Sequence, residues 1–171
     1  MTLPDAIRVL EELSGDPRSG LPEDLFLFAS RITPLVNVDL LIQDDRHRTL
    51  LTWRSDDHYG QGWHVPGGII RYKEPAHQRI REVARQELGA SVEFDPAPIA
   101  VMESMAPGGE RNRGHFISLL YRCRLNSPPD PHLQAATDPP EPGSWRWHAG
   151  PPADLMEVHN MYKSFLEIGN S

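Results

Sequence analysis

Apolar residues recur at two periods along this chain, and the shifts between them mark its elements. Ala6, Ile7, Val9, Leu10 and Leu13 are spaced as on one side of a helix, with Pro4 near the start and Gly15 past the end. A second short helix is expected over Pro22–Ser30, its apolar face made by Leu25, Phe26, Phe28 and Ala29. Leu35–Ile42 reads as a strand, with Leu50–Trp53 as its hairpin mate across the polar turn Gln43–Arg48. Pro75 suits a first helical position and Gly89 a helix stop, so the run from Glu74 to Leu88 is expected to be helical. At about 100° per residue, Ala76, Ile80, Val83 and Ala84 fall on one stripe, with Leu88 at its margin. Val92–Phe94, Ile99–Met105 and His115–Arg124 are strand candidates, the last with Phe116, Ser118 and Leu120 on one face. Trp145–Trp147 is expected as a final strand of the same sheet. Ala153–Ile168 is expected to be helical on Leu155, Met156, Val158, Tyr162, Phe165 and Leu166.

Two carboxylates break this pattern. Asp39 interrupts an aliphatic strand, which costs stability unless the side chain reaches a cavity or a cation, as a substrate contact or a structural acceptor. Glu87 falls inside the helix's apolar stripe, at the end where the helix dipole disfavours negative charge, and a metal ion is the economical way to neutralise it. Before that helix, Gly67-Gly68 follows a short apolar run, reads as a turn and lets backbone approach a ligand closely. Arg54 opens the polar loop that leads there; it is either a bidentate phosphate contact or a solvated strand end. His58 and His64 read as loop or strand-surface histidines, since neither has a second ligand at metal spacing. Arg111 and Arg113, in the Gly-rich loop Pro107–Arg113, are phosphate contacts or simply solvated. The proline-rich stretch Asn126–Gly143 is expected to be an irregular loop at the rim of the site.

Composition narrows the field. At 171 residues the chain is long enough for a real core without disulfides, and its one cysteine, Cys123, sits in a strand-like run as a core residue rather than a nucleophile. A net charge of −7 argues against nucleic acid or an anionic membrane as the main partner. No run reaches the roughly 20 apolar residues of a membrane span and no signal-peptide core is seen, so a cytoplasmic protein is expected.

Gly68, Glu74, Glu87 and Gly89 stand in register with G-x5-E-x7-R-E-U-x-E-E-x-G-U, where U is aliphatic, and the chain thereby resembles the Nudix hydrolases. Glu82 replaces the arginine of that pattern, Val83 the first glutamate of the cluster and Gln86 the next. From about Leu21 to Leu166 the chain further resembles the GDP-mannose mannosyl hydrolase branch. Thr33–Asp39, Arg54 with Gly62–Gly68, Gln86–Gly89, Gly114–Phe116, Trp145–Trp147 and Val158–Asn160 carry that resemblance. It implies an α/β/α sandwich with a mixed sheet over residues 21–171, preceded by a helical extension over residues 1–20, and a homodimer.

The resemblance also implies Mg2+ or Mn2+ held by Glu87 and the Gly67 carbonyl, with Glu141 as a third oxygen donor. It places Asp39 and Arg54 on a nucleoside diphosphate sugar, with Phe116 where the branch has a phosphate-contacting tyrosine. The branch's histidine base corresponds to Pro142, which cannot take a proton, and His132 is the replacement candidate. Three activities stay open: release of sugar and nucleoside diphosphate, cleavage of the P–O–P link, or binding of a nucleotide sugar without turnover.

Overall fold

The computed structural model describes residues 1–56, 60–105 and 114–167. Residues 57–59 with His58, residues 106–113 with Arg111 and Arg113 and thus the whole loop Pro107–Arg113, and the last four residues lie outside that set. Strand β1 (Leu35–Ile42) is the axis. It pairs in parallel with β7 (His115–Leu125) on one side and antiparallel with β4 (Gly67–Ile69) on the other. The far side of β7 takes β5 (Val92–Phe94) and β6 (Ala100–Met105), each antiparallel, along successive parts of its length. A second sheet of three antiparallel strands runs β3 (Gly60–His64), β2 (Thr49–Asp56), β8 (Trp145–His148).

Helix α3 (Ala76–Leu88) begins after Pro75, which serves as its N-cap. It ends at Gly89, left-handed at φ 59°, whose N–H returns to the carbonyls of Ala84 and Arg85. Its stripe behaves as the periodicity requires. Ile80, Val83, Ala84 and Leu88 are buried against Val38, Leu40 and Ile42 of β1 and Tyr121 and Cys123 of β7. Each of the larger aliphatic side chains contributes about 1.5–3 kcal/mol by leaving water. The opposite face of β1 carries Leu41 into a second core with Leu51, Trp53, Trp63, Val65, Leu120, Leu155, Tyr162 and Leu166. Alternation along β1 therefore sends Asp39 to the same side as Leu41. Cys123 is buried, and burial pushes its thiol up to about 12, so it is an inert core residue.

Four expectations are corrected. β1 and β2 are not a hairpin: they lie in different sheets, and the backbone bridge Gln43 to Thr49 is at the turn between them. β8 does not join the larger sheet, because β2 takes it. The last segment is not one helix; residues 153–156 are turn and extended, Glu157–Tyr162 is a 3-10 turn, and only α4 (Lys163–Leu166) is α-helical. Gly67-Gly68 is a strand start on β1 rather than a free turn.

The N-terminal helix is present as α1 (Leu3–Ser14), capped by the reciprocal Thr2–Asp5 hydrogen bonds, and α2 (Glu23–Ser30) follows. Leu3, Ile7, Val9 and Leu13 of α1 are exposed. Among the described residues no helix is long and apolar enough to cross a membrane.

Candidate active site

Register across the small sheet sets Thr52 of β2 opposite His64 of β3. Thr52 Oγ1 donates to Glu87 Oε2 at 2.9 Å, and the Gly67 N–H donates to Glu87 Oε1 at 3.3 Å. Glu87 is half-buried, and desolvation pushes its carboxyl up to about 7; these two donors and the Arg54 charge pull it back, while Asp39 pushes it further up. On the other side of Gly67 lies Asp39, 3% exposed. Its Oδ2 accepts from the Tyr162 hydroxyl at 2.6 Å and from Asn37 Nδ2 at 2.8 Å. Burial raises Asp39 to about 7 as well, against the pull of the Tyr162, Ser118 and Asn37 hydrogen bonds.

A side chain at position 67 has no room. A Cβ there would run into Asp39 Oδ1 and lie 2.9 Å from the Val38 carbonyl. Gly67→Ala is therefore expected to cost about 1–3 kcal/mol and to push the two carboxylates apart, a loss that thermal melts and activity of the purified variant both read.

A cavity of about 170 Å3 opens in front of this glycine, lined by Asp39, Arg54, His64, Gly67, Phe116 and His159 among others. Arg54 pairs with Asp56 at 2.6 Å while lining the cavity. Asp39, Arg54, Phe116 and Gly67 thus come together at one cavity, and Glu87, which does not line it, accepts the Gly67 N–H from behind. Glu141 and His132 do not line this cavity. His132 is exposed on the 3-10 turn Pro131–Leu133. That turn is pinned at the far end of α3, where Asp130 N–H donates to the Leu88 carbonyl at 2.8 Å and Trp145 Nε1 donates to the Asp130 carbonyl at 2.8 Å. Glu141 is exposed in the turn that leads into β8.

Sequence reasoning missed the residues that hold the two carboxylates. His64 is not a surface histidine: it is 8% exposed, its Nδ1 lies 2.9 Å from the Val65 carbonyl and its Nε2 3.0 Å from Thr52 Oγ1. His159 Nδ1 accepts the Val65 N–H at 3.3 Å, which leaves the proton of the neutral ring on Nε2. Tyr162 reads as one more apolar position in the sequence, yet its hydroxyl is tied to Asp39. The available signal was the carboxylates themselves, since two buried acids require donors somewhere in the chain.

The NUDIX domain model matches residues 33–165. The chain belongs to the NUDIX family. A curated relative, the low-salt glycan biosynthesis protein Agl8 of Haloferax volcanii, is 32% identical over 79 residues, covering 46% of this chain and 50% of that protein. The aligned stretch thus spans half of that relative's length. Among solved structures, a MutT NUDIX hydrolase from Burkholderia pseudomallei superposes with a TM-score of 0.60 at 18% identity, over 80% of this chain and 99% of the other. A UDP-X diphosphatase gives 0.57 at 16% identity, over 97% and 68%. At these identities the structures show the shared fold alone.

NUDIX hydrolases generally use divalent metals, and the donor set here suits one. Among the described residues no three His, Cys, Asp or Glu side chains converge, so the protein offers no closed cage. It offers hard oxygen instead, from the half-buried Glu87 carboxylate, one of whose oxygens accepts the Gly67 N–H. A cation of the magnesium type, which takes one or two carboxylates and completes its shell with water and phosphate oxygens, fits that arrangement.

The raised carboxyls make stability fall with pH. A carboxyl whose folded value is raised stabilises fully below its unfolded value and loses that contribution as pH rises through about 7. Burial pushes His64 to about 4, His148 to about 4 and His159 to about 3, and these lose stability in the opposite direction, as pH falls below about 6.5. Above about pH 7 the histidines are mostly neutral in the folded and the unfolded chain alike, so of these groups the carboxyls change charge most up to about pH 8. In EDTA the NUDIX domain's Tm is expected to drop across that interval, and Glu87→Gln to make the drop shallower, as a melt series at stepped pH would read.

Proposed function

We propose that this NUDIX protein is a divalent-cation-dependent hydrolase of a nucleoside diphosphate sugar, releasing free sugar and nucleoside diphosphate. The observation that carries the reading is one cavity that joins the Gly67–Gly68 backbone, backed by Glu87, to Arg54 and Asp39. The cation, when bound, neutralises the diphosphate and makes it a better leaving group. Arg54 adds a planar cation to the same oxygens. The cavity is smaller than the roughly 300–1,000 Å3 of pockets that enclose a drug-sized ligand, so only part of a nucleotide sugar sits inside it.

Water attacks the anomeric carbon, the bond from that carbon to the diphosphate oxygen breaks, and one proton has to leave the water. Exposed on its turn, His132 does not line the cavity; Asp39 does, with a carboxyl poised near 7, the range a general base needs. Tyr162 and Asn37 hold one oxygen of Asp39 and so fix its direction. The glycan-related name of the Haloferax relative supports a sugar-bearing substrate. A second reading, cleavage of the P–O–P link, is favoured by Pro142 standing where the branch places its base and by the lack of any residue from 131–143 in the cavity wall.

Chromatography of products from a panel of nucleoside diphosphate sugars with Mg2+ or Mn2+ tests both. Nucleoside diphosphate with free sugar is the expected pair. Nucleoside monophosphate with sugar phosphate would move the protein to the second reading, and unchanged substrate that still raises the Tm would make it a binder.

A further inference from the structure

At the wall of the cavity, two acceptors compete for one hydrogen. Thr52, 1% exposed, has a single hydroxyl proton, and two acceptors face its oxygen: Glu87 Oε2 at 2.9 Å and His64 Nε2 at 3.0 Å. The Val65 carbonyl, 2.9 Å from His64 Nδ1, can only accept, which assigns the proton of the neutral ring to Nδ1 and leaves Nε2 a bare lone pair. An ionised Glu87 also only accepts. While the hydroxyl donates to the glutamate, the buried imidazole nitrogen goes without a donor, a state that costs about 1–3 kcal/mol in a protein interior.

We propose that Thr52 and His64 are positioning residues for the cation ligand Glu87, and that the Thr52 hydroxyl turns from Glu87 to His64 Nε2 when a divalent cation takes the hydroxyl's place on the carboxylate. The proposal rests on the reading of Glu87 as that ligand. His64 acts without touching the ion: it offers the displaced hydroxyl a new acceptor, so the bond lost at Glu87 is regained at the imidazole. Among the described residues that hydroxyl is hydrogen-bonded to no third acceptor, so without His64 it competes with the ion for Oε2. Without Thr52, Glu87 loses the donor that orients it, and His64 is disconnected from the carboxylate. The pair therefore acts as a unit, which predicts non-additive substitutions.

The test is calorimetric titration of Mn2+ into the substrate-free protein. Partners of metal ligands typically carry about 10–100-fold in affinity, so His64→Phe and Thr52→Val are each expected to weaken binding about tenfold. The double variant should be no weaker than either alone, and Thr52→Ser, which keeps the hydroxyl, should bind as the parent does. Parental affinity in His64→Phe, or single effects that multiply in the double variant, would overturn the proposal while leaving Glu87 as ligand. If His64→Phe does not fold, Thr52→Ser against Thr52→Val decides: equal affinities overturn it. A parent that takes up no Mn2+, with or without substrate, removes the reading of Glu87 beneath it.

Discussion

Glu87→Gln is expected to lower kcat/KM on the nucleotide-sugar substrate by about 10^3-fold or more, corresponding to roughly 4 kcal/mol of lost transition-state stabilisation, and to leave the fold intact. The carboxylate accepts the Gly67 N–H, and a neutral amide is a poor ligand for a hard cation. The same neutrality relieves the fold of a half-buried charge whose carboxyl is already pushed up to about 7. The metal-free Tm of the variant at pH 8 should therefore equal or exceed the parent's, while activity is lost. Initial rates across a magnesium titration check this, and parental rates at saturating magnesium would remove Glu87 from the site.

The second large effect concerns stability and lies under the turn that leads into α3. Glu74 Oε2 accepts from the Arg71 N–H at 2.9 Å and from Arg79 Nε at 2.8 Å. Arg79 Nη2 is also 2.8 Å from that oxygen but off the hydrogen-bond direction, and among the described residues this buried nitrogen has no hydrogen-bond partner. The side chains are 9% and 5% exposed, so this is an interior ion pair. Such a pair can be worth little net, yet removing one partner strands the other, at about 3–5 kcal/mol. Glu74→Ala is expected to lower the Tm by about 6–20 °C, at about 2–4 °C per kcal/mol for a domain of this size. Pairing it with Arg79→Met should recover part of the loss, which thermal melts of the single and double variants would show.

Glu74 also shows what was legible in the chain and what was not. Its place in the glycine–glutamate pattern is readable, but its cation is not: position 82, where the pattern has arginine, is a glutamate paired with Arg85 on the surface. Arg79, which takes the cationic role beside Glu74, carries no motif. Helix α3 was readable because Pro75, Gly89 and a clean apolar stripe agree on it. The supposed hairpin of β1 and β2 failed because a short polar turn is a local signal, whereas the eight-residue parallel pairing of β1 with β7 joins segments about 80 residues apart. The terminal segment has the apolar residues of a helix, and Leu155, Met156, Tyr162 and Leu166 are buried as expected. Tertiary bonds break it: the Trp63 N–H donates to the Asp154 carbonyl, the Val65 N–H to His159 and the Tyr162 hydroxyl to Asp39. In the site, Asp39 and Glu87 stand out because each is a charge where the pattern wants an apolar side chain, Gly67 because it belongs to a glycine pair after an apolar run, and Arg54 only through the family resemblance. Thr52, His64, His159 and Tyr162 fit their local patterns, so only the folded chain shows what they hold.

Hydrolysis of a nucleoside diphosphate sugar in water labelled with heavy oxygen, followed by phosphorus NMR and mass analysis of the sugar, tests the central claim most directly. Heavy oxygen on the anomeric carbon of the released sugar, with an unlabelled nucleoside diphosphate, is the predicted result. Label on phosphorus would contradict it and assign the cation, Arg54 and Asp39 to P–O–P cleavage.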